Sequence, residues 1–222
     1  MSSTSSLLIR QYEIGPLNNF LYLLGDPATK EMTVVDPAWD VGFLCREAQR
    51  LEYKITQVFL THAHNDHVNG LAELLGRYQV PVYISKHEAP FLTAQLPNLT
   101  KIADRTELNV GGISVQTLHA PGHTPGCQCF FFKDAGSGKP AVLSGDVLFI
   151  DGCGRCDLPG SDPWEMYKSL SNVIMKLPDE TVVYPGHNYG PTPTDTIGNQ
   201  KQTNPYLQCG TQKEFLTERM GL

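Results

Sequence analysis

A chain of 222 residues with 41 % hydrophobic and 18 % charged residues has the composition of an ordinary globular protein, which excludes a disordered or fibrous one. A formal net charge of -6 and a pI near 5.6 exclude a phosphate backbone as the main partner, because nucleic-acid affinity comes chiefly from Lys and Arg neutralising phosphates. No stretch approaches the roughly eighteen uninterrupted apolar residues of a membrane span, so no membrane partner is expected.

The opening "MSSTSSLLIRQYEIG" has no long apolar core and little positive charge, so neither a secretory signal nor a mitochondrial presequence is expected. The expected location is cytoplasmic, with an organelle left open. "FLYLLGD" (20–26), "MTVVDP" (32–37) and "ITQVFLTH" (55–62) are β-branched or aromatic runs bounded by Gly, Pro or Asp, and read as strands. Between the last two, "VGFLCREAQRLEY" (41–53) has apolar residues at helical spacing. "GLAELLGRY" (70–78) predicts a helix, "VPVYIS" (80–85) a strand and "KHEAPFL" (86–92) a short helix. "LNVGGISVQTLHAPG" (108–122), "CQCFFFKD" (127–134) and "PAVLSGDVLFI" (140–150) read as strands joined in hairpins. "PWEMYKSLSNVIMKL" (163–177) is an amphipathic helix with Pro near its start, and "TVVYPGH" (181–187) a final strand. No repeat, low-complexity tract or linker divides the chain, so residues 1–222 are expected to form one layered α/β domain with helices covering the sheet faces.

The polar chemistry falls at predicted strand ends. "THAHNDHVNG" (61–70) places His62, His64, Asp66 and His67 just past one strand, "LHAPGHTPG" places His119 and His123 past another, and Asp146 and His187 follow in "SGDVLF" and "YPGHNYG". Gly and Pro flank nearly all of them, as a preorganised site on sharply defined loops requires. Imidazole and carboxylate without thiol suit zinc, iron or manganese rather than a Cys-rich structural zinc site. His62 and His64 can face one way only if the backbone turns there, which the small Ala63 and Asn65 permit. Adjacent Asp66 and His67 are expected to diverge, which hints at two metal positions. His87, in "SKHEAP", reads as a surface histidine.

Taken together, "HAHNDH", "APGHTPG", "SGDVLF" and "YPGHNYG" resemble, in order, the successive metal motifs of the metallo-β-lactamase superfamily. The resemblance covers residues 17 to about 207 and implies a four-layer αββα sandwich with its metal site at one edge of the two sheets. It implies a first metal on His62, His64 and His123, a second on Asp66, His67 and His187, and Asp146 bridging them. "IGPLNNFLYLLGD", "GCGRCDLPGSDPWEMYKSL" and "NPYL" are most similar to the glyoxalase II and persulfide dioxygenase branch. In that branch the residues matching Arg155 and Tyr189 contact the glutathione moiety. Two departures pull in opposite directions. Only 35 residues follow His187, a short tail in place of the helical glutathione-binding domain of glyoxalase II. The loop reads "GRCDLPGSDP" where the dioxygenases read "GRTDF", a form more like short hydrolases of the glyoxalase II type.

The leading expectation is a hydrolase of hydroxyacylglutathione or a related acyl thioester, with two divalent ions, zinc or mixed iron and zinc, that lower the pKa of water toward about 7. Asp66 would orient the attacking hydroxide, with Tyr189 and Arg155 positioning the substrate. The alternative is a persulfide dioxygenase converting glutathione persulfide to sulfite with one Fe(II) on His62, His123 and Asp146, the two-histidine, one-carboxylate face of non-haem iron. β-Lactam hydrolysis fits less well without an export signal, and a nuclease less well given the acidic charge. The expected partner is a small molecule, thioester or glutathione-derived, and the chain leaves room for a homodimer.

Of the six cysteines, Cys153 and Cys156 form a CxxC in a Gly-rich loop rather than at a helix start, so a thioredoxin-like role is disfavoured. Action of either thiol on a sulfur substrate is a minor reading. Cys127 and Cys129 read as packed strand residues.

Overall fold

The computed structural model describes residues 6–93, 96–135 and 137–221, so the ends of the expected 1–222 domain lie outside the described residues. The first sheet begins with β1 (Leu8–Ile14), β2 (Asn19–Gly25) and β3 (Glu31–Val35), which pair antiparallel. Helix α1 (Val41–Arg50) crosses to β4 (Lys54–Phe59), and α2 (Asn65–Val68) and α3 (Leu71–Arg77) cross to β5 (Val82–Ser85). β6 (Leu99–Ile102) completes a sheet whose order follows the chain, with β3 to β6 parallel. Parallel neighbours need long crossovers, and these helices supply them.

The second sheet starts as a meander of β7 (Glu107–Val110), β8 (Ile113–His119), β9 (Gln128–Lys133) and β10 (Pro140–Gly145). A two-stranded ribbon, β11 (Leu148–Phe149) and β12 (Gly152–Cys153), follows. Helix α4 (Pro163–Asn172) then returns the chain to β13 (Val182–Pro185), parallel to β10, and β14 (Asp195–Thr196) closes the edge. Helices α5 (Ile197–Thr203), α6 (Pro205–Gln208) and α7 (Gln212–Met220) end the described chain.

Strand β2 shows why the layers stack. Phe20, Tyr22 and Leu24 face the second sheet, packing with Val115, Phe130 and Leu143. Leu21 and Leu23 face the other way, toward Leu44 of α1 and Leu74 of α3. A strand buried on both faces reads as a continuous apolar run, as "FLYLL" does. On the far side of the second sheet, Cys129, Val142 and Val183 pack against Met166 and Leu170 of α4 and Phe215 of α7. Phe59 of β4 stacks on Phe130 of β9 with centroids 5.0 Å apart, fixing the two sheets together. Each such buried side chain contributes about 1.5–3 kcal/mol. The result is the expected α/β/β/α layering.

Some boundaries differ from expectation for local reasons. α1 stops at Arg50 rather than running to Tyr53, and Glu52 adopts φ 60°, a left-handed reversal that no helix continues through. The run from Pro163 breaks after Asn172 into a 3-10 turn at Ile174–Lys176. "KHEAPFL" forms only a 3-10 turn, Ala89–Phe91. β1, β6, β14 and α5 to α7 were not anticipated. β1 is an edge strand whose apolar residues are interrupted by Arg10, Gln11 and Glu13.

Candidate metal centre

The site forms where β4, β8, β10 and β13 end. Asp36, just past β3 and at φ 50°, is buried and reaches into the loop after β4. Its Oδ1 accepts the Thr61 N–H at 2.7 Å and its Oδ2 accepts the Thr61 hydroxyl at 2.6 Å. Glu88, equally buried, joins two loops: Oε1 accepts from Ala63 N at 2.9 Å, and Oε2 from the Thr124 hydroxyl and Gly126 N, both at 2.8 Å. The two loops that carry most of the histidines are therefore held by carboxylates both of whose oxygens are engaged.

Each inner histidine is fixed through its outer nitrogen. Nδ1 of His62 lies 3.0 Å from the Thr61 hydroxyl, which is itself donated to Asp36 and so accepts from the ring. Nδ1 of His67 lies 2.9 Å from Asp36 Oδ2. Nδ1 of His123 meets the Arg155 carbonyl at 2.8 Å, and Nδ1 of His187 the Leu17 carbonyl at 2.9 Å. In all four the Nε2 lone pair is left facing the interior, the arrangement that metal-ligating imidazoles adopt. His64 turns the other nitrogen inward: its Nδ1 lies 2.9 Å from His123 Nε2.

Two groups of donor atoms result, each within 4.8 Å: His62, His64 and His123, and Asp66, His67 and His187. Asp146 lies between them, with Oδ2 3.5 Å from His123 Nε2 and 3.3 Å from His187 Nε2, and Oδ1 3.4 Å from His67 Nε2. A third grouping of Asp36 with His62 and His67 shares these histidines, but there Asp36 contacts the outer nitrogen of His67. The expected divergence of Asp66 and His67 is not what the structure has. Asp66 Oδ2 lies 3.6 Å from His67 Nε2 and 3.4 Å from His187 Nε2. On the single turn of α2 the shorter aspartate curls toward the imidazole tip, so neighbours in sequence serve one group.

The donor set fits a metal site on its own geometry. Nε2 of His62 and Oδ1 of Asp146 are buried without a hydrogen-bond partner. Nε2 of His67 and Nε2 of His187 approach to 3.2 Å, close to the spacing of about 3.4 Å for two nitrogens each about 2.1 Å from one tetrahedral ion. Buried lone pairs turned toward one another cost free energy unless a cation or proton lies between them. Burial, reinforced by neighbouring imidazoles, pushes His62 well below and His64 below the ordinary histidine range. Burial opposes charge on Asp146, yet the surrounding imidazoles hold its carboxyl well below the usual range. His67 and His187, although buried, are raised by Asp146, and His67 also by Asp36.

Tyr189 stacks on His187, centroids 4.6 Å apart and planes at 10°, and remains 55 % exposed, so its ring forms part of the rim. The Arg155 guanidinium is exposed and bidentate to Asp157 at 2.9 and 2.8 Å, while its carbonyl orients His123. His119 lies apart from the centre, its ring 5.0 Å from the exposed His87. Cys153 and Cys156 are buried in the core beneath α4, and burial raises both thiols, Cys156 to about 11, which disfavours the thiolate a sulfur-attacking role would need.

Sequence reasoning missed Asp36, Glu88 and Asn19. Asn19 donates from Nδ2 to Asp66 Oδ2 at 3.0 Å and to the Asp66 carbonyl at 3.1 Å, and its Oδ1 accepts the Trp39 indole N–H at 2.8 Å. The available signal was a polar residue bordering an apolar run, after it in "VVDP" for Asp36 and before it in "NNFLYLL" for Asn19.

Two sheets flanked by helices, with histidines and aspartates gathered at one edge, define a metallo-β-lactamase fold. Residues 14–187 match the family model of the metallo-beta-lactamase superfamily, and the chain belongs to that family, whose members bind zinc or iron. The chain is similar to the probable polyketide biosynthesis zinc-dependent hydrolase PksB of Bacillus subtilis, 32 % identical over 201 residues that cover 90 % of this chain and 87 % of that protein. It is 35 % identical over 172 residues to the hydroxyacylglutathione hydrolase of Pseudomonas syringae, covering 78 % of this chain and 62 % of that enzyme. The crystal structure of ETHE1 from Myxococcus xanthus superposes with a TM-score of 0.85 at 31 % identity, covering 97 % of this chain and 92 % of that one. Among the described residues no helix is long and apolar enough to cross a membrane.

Proposed function

We propose that this metallo-hydrolase cleaves thioesters, hydroxyacylglutathione or a related acyl thioester, with two divalent ions, zinc or mixed iron and zinc. The observation that carries the reading is the convergence of two three-residue donor groups on the single buried carboxylate of Asp146. His62, His64 and His123 would hold one ion, Asp66, His67 and His187 the other, with Asp146 between them. Such a pair supplies Lewis acidity, making water acidic enough to give hydroxide near neutral pH and drawing electron density from a carbonyl.

The protein's own groups do the rest. Asn19 fixes the Asp66 carboxylate, so one oxygen is directed while the other can accept a proton from the attacking water. Tyr189 presents a hydroxyl whose pKa is raised by burial and by Asp146 and Asp66, so it stays protonated and can donate to the substrate. Arg155 would steer an anionic leaving group once it exchanges Asp157 for substrate. A thiolate leaves with little help, so no separate acid is needed. The similarity to a hydroxyacylglutathione hydrolase and to a zinc-dependent hydrolase supports this reading.

A second reading has one observation in its favour. His62, His123 and Asp146 would supply the two imidazoles and one carboxylate that suit a single Fe(II) and persulfide oxidation to sulfite, and His62 Nε2 and Asp146 Oδ1 have no hydrogen-bond partner. The deciding experiment follows thiol release from acyl thioesters and oxygen uptake on glutathione persulfide, side by side. Thiol release without oxygen uptake supports the hydrolase; oxygen uptake without thiol release overturns it.

A further inference from the structure

Beside His64 lies a cavity of about 130 Å³, walled by Ala63, Phe91, Thr124, Pro125 and Pro159, with Glu88 at its base. It opens next to one proposed metal ligand, on the flank away from Tyr189, which stacks on His187. The polar groups lining it are largely engaged. Glu88 accepts three hydrogen bonds from the two loops, and one of these uses the Thr124 hydroxyl. The two prolines have no N–H to offer. The outer wall comes from the loop after Arg155 and is held in place. The Asp162 N–H reaches the Gly122 carbonyl at 2.8 Å, Ser161 N the Leu158 carbonyl at 3.0 Å, and a Cβ at Gly160 would meet Pro125 at 3.6 Å. Phe91, 51 % exposed, lines the cavity and is open to solvent.

We propose that this cavity receives the acyl group of the substrate and selects short, uncharged acyl groups of up to about seven carbons. The inference rests on the thioester reading and names its acyl class. The size follows from volume: an apolar cavity of about 150 Å³ is filled by benzene, so about 130 Å³ holds a butyryl or branched five-carbon group and at most a benzoyl ring. The charge preference follows from Glu88, whose carboxylate would repel an acyl group ending in another. The thiol portion then lies toward Tyr189, which is stacked on His187 and exposed.

The test uses the metal-loaded protein with N-acetylcysteamine thioesters of acetyl, butyryl, benzoyl, succinyl and decanoyl groups, and the variants Phe91→Ala and Phe91→Trp. Phe91 is half exposed, so both variants should fold. Butyryl and benzoyl are expected to exceed succinyl and decanoyl by at least about tenfold in kcat/KM, the scale on which a pocket distinguishes acyl groups. Phe91→Ala is expected to raise the decanoyl-to-butyryl ratio by about tenfold and Phe91→Trp to lower the benzoyl-to-acetyl ratio. An unchanged ratio in Phe91→Ala, or succinyl turned over as fast as butyryl, overturns the proposal.

Amide NMR with the butyryl ketone analogue, sulfur replaced by methylene, separates this failure from that of the thioester reading. If no thioester is cleaved but the analogue shifts the amides of Ala63, Phe91 and Thr124, the hydrolase reading falls and the cavity stands as an apolar-group site. Shifts confined to other residues overturn the cavity assignment whether or not thioesters are cleaved.

Discussion

Asp36 holds His67: the carboxylate Oδ2 lies 2.9 Å from the ring Nδ1, both residues are buried, and the same carboxylate accepts both the N–H and the hydroxyl of Thr61. One aspartate outside the proposed ligands therefore orients a ligand of the second group and the start of the loop that carries the first.

Replacing Asp36 with Asn keeps the size of the side chain but removes the charge opposite His67. Outer partners of metal-bound histidines are worth about 10–100-fold in metal affinity. The second ion should therefore weaken by that factor, measured by chelator competition, while the ion on His62, His64 and His123 weakens much less. Equal weakening of both would mean that Asp36 acts only through the Thr61 loop.

Glu88→Gln tests the tie between the loops at Ala63 and at Thr124 to Gly126. An amide can satisfy only part of a site built from donors, and hydrogen bonds to a charged group contribute about 1.5–3 kcal/mol. A loss of about that size in urea unfolding is expected, with metal affinity falling at His64 and His123. An unaltered denaturation midpoint would contradict the role.

Gly186 packs so closely that a Cβ would sit 2.2 Å from Asp146 Oδ1. Gly186→Ala must displace that carboxylate or the strand behind it, at a cost of about 1–3 kcal/mol. Because Asp146 stands between the two donor groups, activity should drop at least a hundredfold while the protein remains folded by circular dichroism. Activity within a few-fold of wild type would show that Asp146 need not keep this position.

The metal-type residues were legible in the sequence because five histidines sit on loops punctuated by Gly and Pro, and the spacing in "HAHNDH" is rare enough to stand out. The layering was legible from runs such as "FLYLL" and "VVYP". Asp36, Glu88 and Asn19 were not, since each is a single polar residue with no repeated spacing, and its role depends on a partner far along the chain. The convergence of Asp66 and His67 was misjudged because it depends on side-chain torsions within one short helical turn. The closing helices were partly readable: Thr211 and Glu214 form a capping box at the start of α7, and "TQKE" carries that signature.

The thiols make a pH prediction. Burial pushes Cys156 up to about 11 and Cys129 up to about 12, whereas a cysteine in the unfolded chain titrates near about 8.5. Between those values the unfolded state holds fewer protons than the native one, so stability falls as pH rises. The contribution is intact below about pH 8.5 and is lost progressively toward pH 12. The urea midpoint should therefore decline from about pH 9 upward, and less so in Cys129→Ala. At pH 8 a thiol reagent should modify the half-buried Cys209 first, with the five buried cysteines reacting only on unfolding. Rapid labelling of Cys153 or Cys156 in native protein would contradict the burial and reopen a catalytic role for them.

Two ions, one on each side of Asp146, would together support thioester hydrolysis. The direct measurement is butyryl thioester hydrolysis by metal-free protein titrated with zinc from zero to three equivalents, with bound metal counted at each point. The account predicts little activity at one ion per chain, a rise that saturates at two, and loss of the second equivalent in His187→Ala. Full hydrolysis at a single equivalent, or no hydrolysis at any occupancy with oxygen consumed on a persulfide once iron is supplied, would contradict it.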